Sequence, residues 1–230
     1  MKTLNIFKRS SIVFFALSTF LFTSCDDNED LPPEEHDHET ITDVKLIFTN
    51  TQDASDVVTA LAQDEDGEGA KPLEIKDEIT LGSNKTYSLT FEILNTLGHD
   101  DHDDHEEEHD DHDDGDEHHD EHEEEGENIG AEIVEEADEH QFFYAFTENA
   151  FTTPTGNGNI DNASDPINYE DKDSNGLPLG FETSWTTSSA LNRGEFRVRL
   201  MHQPDGLKTE DSSAEISDPD FDLTFVLNIQ

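Results

Sequence analysis

The sequence is poor in the residues that brace a small domain covalently or balance its charge. Cysteine occurs once, at Cys25, which rules out a disulfide within the chain and any cage of thiolates around a metal. Lys and Arg together number 12 against 58 Asp and Glu, for a formal net charge of -46. Such a field repels a phosphate backbone and excludes nucleic acid as a partner; it suits cations, basic partners or plain solubility. The apolar stretch Ile12 to Phe22 is eleven residues long, too short to span a bilayer as a stable helix. Catalytic patterns are missing as well. There is no Ser-His-Asp spacing, no Gly-rich phosphate loop with a Lys and no H-E-x-x-H, and no carboxylate pair stands out from the rest. The chain reads as non-enzymatic.

What is present begins with a targeting pattern over residues 1–24. Lys2, Lys8 and Arg9 form a basic n-region ahead of the apolar stretch, and Phe22-Thr23-Ser24-Cys25 follows. A small residue before a lone Cys at this place resembles the lipobox of bacterial lipoproteins, with Phe22 standing where an aliphatic residue is usual. Cys25 is then expected to be an acyl anchor, and two or more acyl chains are needed for stable attachment. Asp26, Asp27, Glu29 and Asp30 come next and resemble the acidic export signal of surface-exposed Bacteroidota lipoproteins. Residues 25–39 read as an acidic tether stiffened by Pro32 and Pro33.

From residue 40 the pattern becomes that of a β-domain. Alternating apolar residues predict strands over 41–49, 56–61, 73–81 and 86–94. Ile129, Ile133, Val134 and Ala137 predict one short amphipathic helix over about 128–139. Further strands are predicted at 141–147 (QFFYAFT), 181–187, 195–201 and 221–229, with 151–178 a long Gly-, Asn-, Asp- and Pro-rich loop. Many short strands separated by turns predict a mainly β fold, an immunoglobulin-like two-sheet sandwich over 40–230. Trp185 and the Phe-rich strands are expected in its core.

Inserted in this domain is Gly98 to Glu127, thirty residues made of eight His, nineteen Asp or Glu and three Gly. It holds no apolar residue, and its like charges repel over a Debye length of roughly 8 Å, so it is expected to be disordered alone. Its histidines are His99, His102, His105, His109, His112, His118, His119 and His122, and many lie three or four apart. On a locally helical segment such pairs share a face and can clamp one ion. Imidazole mixed with carboxylate suits a borderline divalent ion, zinc first, while the lack of Cys and Met argues against a dedicated copper(I) site. A spacer would need no histidine, so their number separates metal capture from a plain acidic linker. Protons compete for the same imidazoles, so capture weakens below neutral pH. Removal of 98–127 is expected to leave folding intact and to abolish most of the zinc stoichiometry.

Two histidines, His140 and His202, fall in the folded part outside the tract. They read either as ordinary surface residues or as a tighter site fed by the tract. A third candidate is Asp171-Lys-Asp173-Ser-Asn175-Gly176 with Glu182 at the twelfth position, which fits the calcium-loop pattern D-x-[DN]-x-[DN]-G-x5-E. Pro178 occupies the eighth position, where an EF-hand carries a hydrophobe. The stretch is therefore a calcium loop within a β-protein, with Asp161, Asn162 and Asp165 as further candidate ligands, or an Asx-type turn.

Several stretches carry a resemblance: ITDVKLIFTNTQDASDVVTALAQDEDGEG, TYSLTFEILN, ADEHQFFYAF, GNGNIDNASDPINYEDKDSNG, RLMHQPDGLKT and DFDLTFVLNIQ. Together they resemble a family of His/Asp-rich outer-membrane lipoproteins of the Bacteroidota, some of them labelled "type 1 periplasmic binding fold superfamily protein". The two-lobed α/β fold in that label needs alternating strands and helices, which this chain lacks. The resemblance implies an outer-membrane, surface-exposed lipoprotein serving a TonB-dependent uptake receptor, with metal as the nutrient. The alternative is a calcium-stabilised β-sandwich used in adhesion or as a receptor accessory, with the acidic tract as spacer.

Overall fold

Period-two alternation sets most of the elements. In the computed structural model, which describes residues 40–64, 72–97 and 126–230, the N-terminal unit Met1–Asp37 falls outside those residues and the unit His38–Gln230 carries the whole sandwich. The strands are β1 (Asp43–Asn50), β2 (Val57–Gln63), β3 (Glu74–Ile75), β4 (Ile79–Leu81), β5 (Thr86–Leu94), β6 (His140–Phe146), β7 (Phe151–Thr153), β8 (Thr183–Thr187), β9 (Leu191–His202) and β10 (Pro219–Ile229). One helix, α1 (Ile129–Glu135), lies between β5 and β6. Six strands form the first sheet in the order β3-β2-β1-β5-β8-β7, and four form the second in the order β4-β10-β9-β6.

This order is that of an immunoglobulin-like sandwich. β1, β5, β8 and β7 take the places of strands A, B, E and D; β6, β9 and β10 take those of C, F and G. β4 pairs in parallel with β10, while the β2–β3 hairpin extends the first sheet beyond β1. Every second residue of each long strand points inward. Val44, Leu46 and Phe48 of β1 sit opposite Ile93, Phe91 and Leu89 of β5. Phe196, Val198 and Leu200 of β9 face the same interior as Phe221, Leu223, Phe225, Leu227 and Ile229 of β10. At its centre Trp185 is fully buried, its ring centroid within 5.4 Å of those of Tyr144, Phe146, Phe151 and Phe196. The indole N–H donates to Thr183 Oγ1 at 2.8 Å, so its polar atom is satisfied inside the core.

Several segments differ from expectation, β7 among them, which pairs with β8 inside the stretch read as a loop over 151–178. Residues 73–81 form two strands in different sheets. Between them, the Asp77 carboxylate accepts the Leu61 N–H at 3.1 Å and turns the chain from the first sheet to the second. The helix ends at Glu135, four residues early. Asn128 caps its start by accepting the Ala131 N–H at 3.2 Å, but beyond Ile133 Val134 is exposed, and Ala137 reaches the core only from the turn that follows the helix. The strands flanking the His-rich tract do not pair with each other. β5 and β6 belong to opposite sheets, so the tract lies within the crossover.

The long loop after β7 is ordered against the outer edge of β6. The amides of Phe142 and Phe146 donate to Leu179 and Asn157, and the Ile160 amide donates to Tyr144. Gly158 is required there. Its φ is +96°, and a Cβ would strike the Tyr144 carbonyl. Trp185→Ala is expected to destabilise the domain by about 3–5 kcal/mol, read from the urea midpoint, because the ring contacts around it cannot close the cavity.

Candidate functional site

At the tract end of the sandwich, three connections meet: the β5–β6 crossover with α1, the loop 154–182 and the loop 203–218. The two ends of the tract are joined at its root. Asn95 and Glu127 form an antiparallel bridge, exchanging N–H···O bonds of 3.0 and 2.9 Å. The tract leaves and re-enters the fold at this one stem. The eight tract histidines and Cys25 lie outside the described residues.

His140 and His202 come together. They are directly opposed on β6 and β9, on the inward-facing side, and their rings stack with centroids 4.8 Å apart and planes 8° from parallel. Both are buried rather than on the surface. Each faces a carboxylate: His140 Nε2 is 3.8 Å from Asp220 Oδ2, and His202 Nε2 is 3.8 Å from Glu139 Oε2. His140 Nδ1 lies 3.2 Å from the Glu136 carbonyl oxygen. Asp220 reaches this position through a bulge in β10, where Pro219 and Phe221 pair with Met201 and Leu200 and leave Asp220 as the extra residue. The arrangement is a stacked pair closing the end of the core. Ring lone pairs lie in the ring planes, so two parallel rings aim them side by side rather than at one shared ion. Among the described residues, no group of three or more His, Cys, Asp or Glu is placed to hold a metal ion.

The segment read as a calcium loop takes the form of the Asx-type turn. The Asp171 carboxylate accepts the amides of Gly180 and Glu182 at 2.7 and 2.8 Å. Asp173 Oδ1 accepts those of Asn175 and Leu177 at 2.8 and 2.9 Å. Asn175 and Glu182 are exposed. Asp161, Asn162 and Asp165 belong to a separate turn, in which Asp165 accepts from the Asn162 side chain at 2.6 Å and from the Asn157 amide at 3.0 Å. Where a cation would sit beside Asp173, the protein supplies its own. Lys208 Nζ lies 3.0 Å from Asp173 Oδ2, with both side chains fully buried, and donates to the Ala137 carbonyl at 2.5 Å. One ammonium therefore ties together all three connections at this end. Burial pushes the Asp173 carboxyl up, but Lys208 and the two amides outweigh it and hold the group below its ordinary value. Burial lowers Lys208 against the pull of Asp173, Asp171 and Asp138.

On the opposite face of the second sheet, Arg197 and Arg199 converge on Asp222. Arg197 donates Nε to Oδ1 at 2.7 Å, and Arg199 donates Nε to Oδ2 at 2.9 Å and Nη1 to the Ala214 carbonyl at 2.6 Å. Beside them lies a shallow cavity of about 390 Å³ lined by Thr147, Asn157, Asp161, Glu195, Arg197 and Thr224. Pattern reading missed Lys208, Asp220 and Glu139. A lone Lys in Pro-Asp-Gly-Leu-Lys-Thr looks solvated, and a bulge leaves no mark on the alternation.

Comparison of the chain with protein-family models, with curated proteins and with solved structures finds no match.

Lys208→Met is expected to cost about 3–5 kcal/mol in denaturant unfolding, because it strands the Asp173 charge in the interior. Burial, opposed by Asp220, lowers the affinity of His140 for a proton in the folded state. The unfolded chain then binds more protons near its ordinary pKa of about 6.5, so stability rises with pH through that region and is lost as pH falls below it. The melting temperature should drop between pH 7.5 and 5.5, and His140→Gln should flatten that slope; an unchanged slope contradicts the assignment.

Proposed function

We propose that this chain is a non-enzymatic, lipid-anchored lipoprotein of the outer membrane. It captures a divalent transition metal, zinc first, through the His/acidic tract and supplies it to a TonB-dependent uptake receptor. The observation that carries the reading is the tract itself, eight His among nineteen carboxylates in thirty residues. Imidazole adds affinity for zinc that carboxylate alone lacks, and its mixture with carboxylates gives several exchangeable sites. The Asn95–Glu127 stem supports the reading because it anchors the segment at both ends on one end of the sandwich, where bound ions gather at a fixed place. Attachment to the membrane rests on Cys25 and its lipobox-like setting, and surface display on the acidic residues that follow.

Against the competing calcium reading we weigh that both Asp171 oxygens and Asp173 Oδ1 accept backbone amides, and that Lys208 Nζ stands 3.0 Å from Asp173 Oδ2. Calcium is expected to leave the melting temperature unchanged.

Because Glu127 pairs with Asn95, the deletion that tests metal capture should run from 98 to 125 and spare the stem. Isothermal titration with zinc is expected to give several equivalents on the intact protein and to lose most of them in the deletion protein, with its melting temperature retained. Equal zinc uptake by both proteins overturns the proposal.

A further inference from the structure

The Lys208–Asp173 contact is not an ordinary buried ion pair. Both side chains are 0% exposed, and Nζ stands 3.0 Å from Oδ2. Yet among the described residues Oδ2 has no well-directed hydrogen bond. The nitrogen is in contact with the carboxyl group but not along a well-directed hydrogen bond to Oδ2. The other oxygen, Oδ1, is held by two backbone N–H groups, those of Asn175 and Leu177. A nitrogen in contact with a carboxyl whose second oxygen rests in a pair of amides is the geometry of acyl transfer.

We propose that Lys208 and Asp173 are joined in the folded protein by an intramolecular amide bond, an isopeptide cross-link between the loops 154–182 and 203–218. Lys208 and the two amides favour the carboxylate, so the reacting form is the minor one in which a proton has passed from Nζ to the carboxyl, leaving a neutral amine beside a neutral carboxyl; burial of both groups makes that transfer less costly than in water. The Nζ lone pair attacks Cγ. The Cγ–Oδ1 π electrons move onto Oδ1, where the amides of Asn175 and Leu177 stabilise the negative charge. Collapse restores the Cγ–Oδ1 double bond and breaks Cγ–Oδ2. Oδ2 leaves as water, carrying the first proton and a second from Nζ. An ammonium and a carboxylate thus become one amide and one water, with no oxidant, reductant or cofactor. The remaining N–H keeps the Ala137 carbonyl as its acceptor. Condensation in water is unfavourable, but groups held at contact react with effective molarities of about 10⁵–10⁸ M, and the product removes two buried charges.

Intact-mass spectrometry of the denatured full chain tests this, with Lys208→Arg and Asp173→Ala prepared in parallel so that N-terminal processing is common to all three. The unsubstituted protein is expected to weigh less than its processed sequence by one water, and both variants to show no loss. Tryptic digestion should release a branched peptide joining residues 173 and 208, which fragmentation identifies whether or not the variants fold. An unsubstituted protein at its full sequence mass overturns the proposal. So does a loss of water that persists in either variant, or one that maps to another pair.

Discussion

The chain must change sheets between β5 and β6, and it does so through thirty residues with nothing apolar to bury. Everything at that end of the sandwich answers this constraint. A crossover of repelling carboxylates cannot hold the two sheets in register, so the register is fixed on either side of it. On the near side the Asn95–Glu127 bridge closes the tract into a loop. On the far side α1 buries Ile129 and Ile133 against the core and delivers the chain to β6. Ala137, just past the helix, is then held through its carbonyl by Lys208. These contacts fix the described chain on both sides of the insertion.

Cations are scarce, and their distribution shows what they do. Lys45, Lys85 and Arg193 pair with Glu92, Asp56 and Glu78 at exposed positions, where solvent screens each bridge and it contributes little. Arg197 and Arg199 share Asp222 and pin the loop carrying Ala214 over Phe143 and Met201, a second small apolar cluster outside the main core. Among the described Lys and Arg residues, Lys208 alone is buried. In a chain with nearly five acidic residues for each basic one, the interior cation stands where loop closure needs it.

The sandwich was legible wherever one face is wet and the other dry. The alternation in β1, β5 and β10 gives their span within a residue or two, since Tyr87, Leu89, Phe91 and Ile93 can share an interior only as a strand. Residues 73–81 carried the same alternation and misled, because period two does not record a change of sheet at Asp77. β9 starts four residues earlier than its apolar pattern, since Leu191 pairs with Ile229 across a bulge and the Arg193 amide donates to the Asn228 side chain, neither of which the alternation records. The His140–His202 pair could be named but not placed, because opposition across two strands depends on register. Lys208 and Asp220 left no signal, since both owe their burial to loops and a bulge that converge only in three dimensions.

The order of the long loop against β6 has a consequence for how this molecule meets others. A β-sandwich has four open sides, and any of them can accept a strand from another chain. Here β3 is two residues long, β4 and β7 are three each, and β6 is already sheathed by backbone bonds from residues 157–179. Among the described residues the β6 edge is therefore closed to strand addition, whereas β2 and β10 run on past their short neighbours β3 and β4 and keep part of their outer edges uncovered.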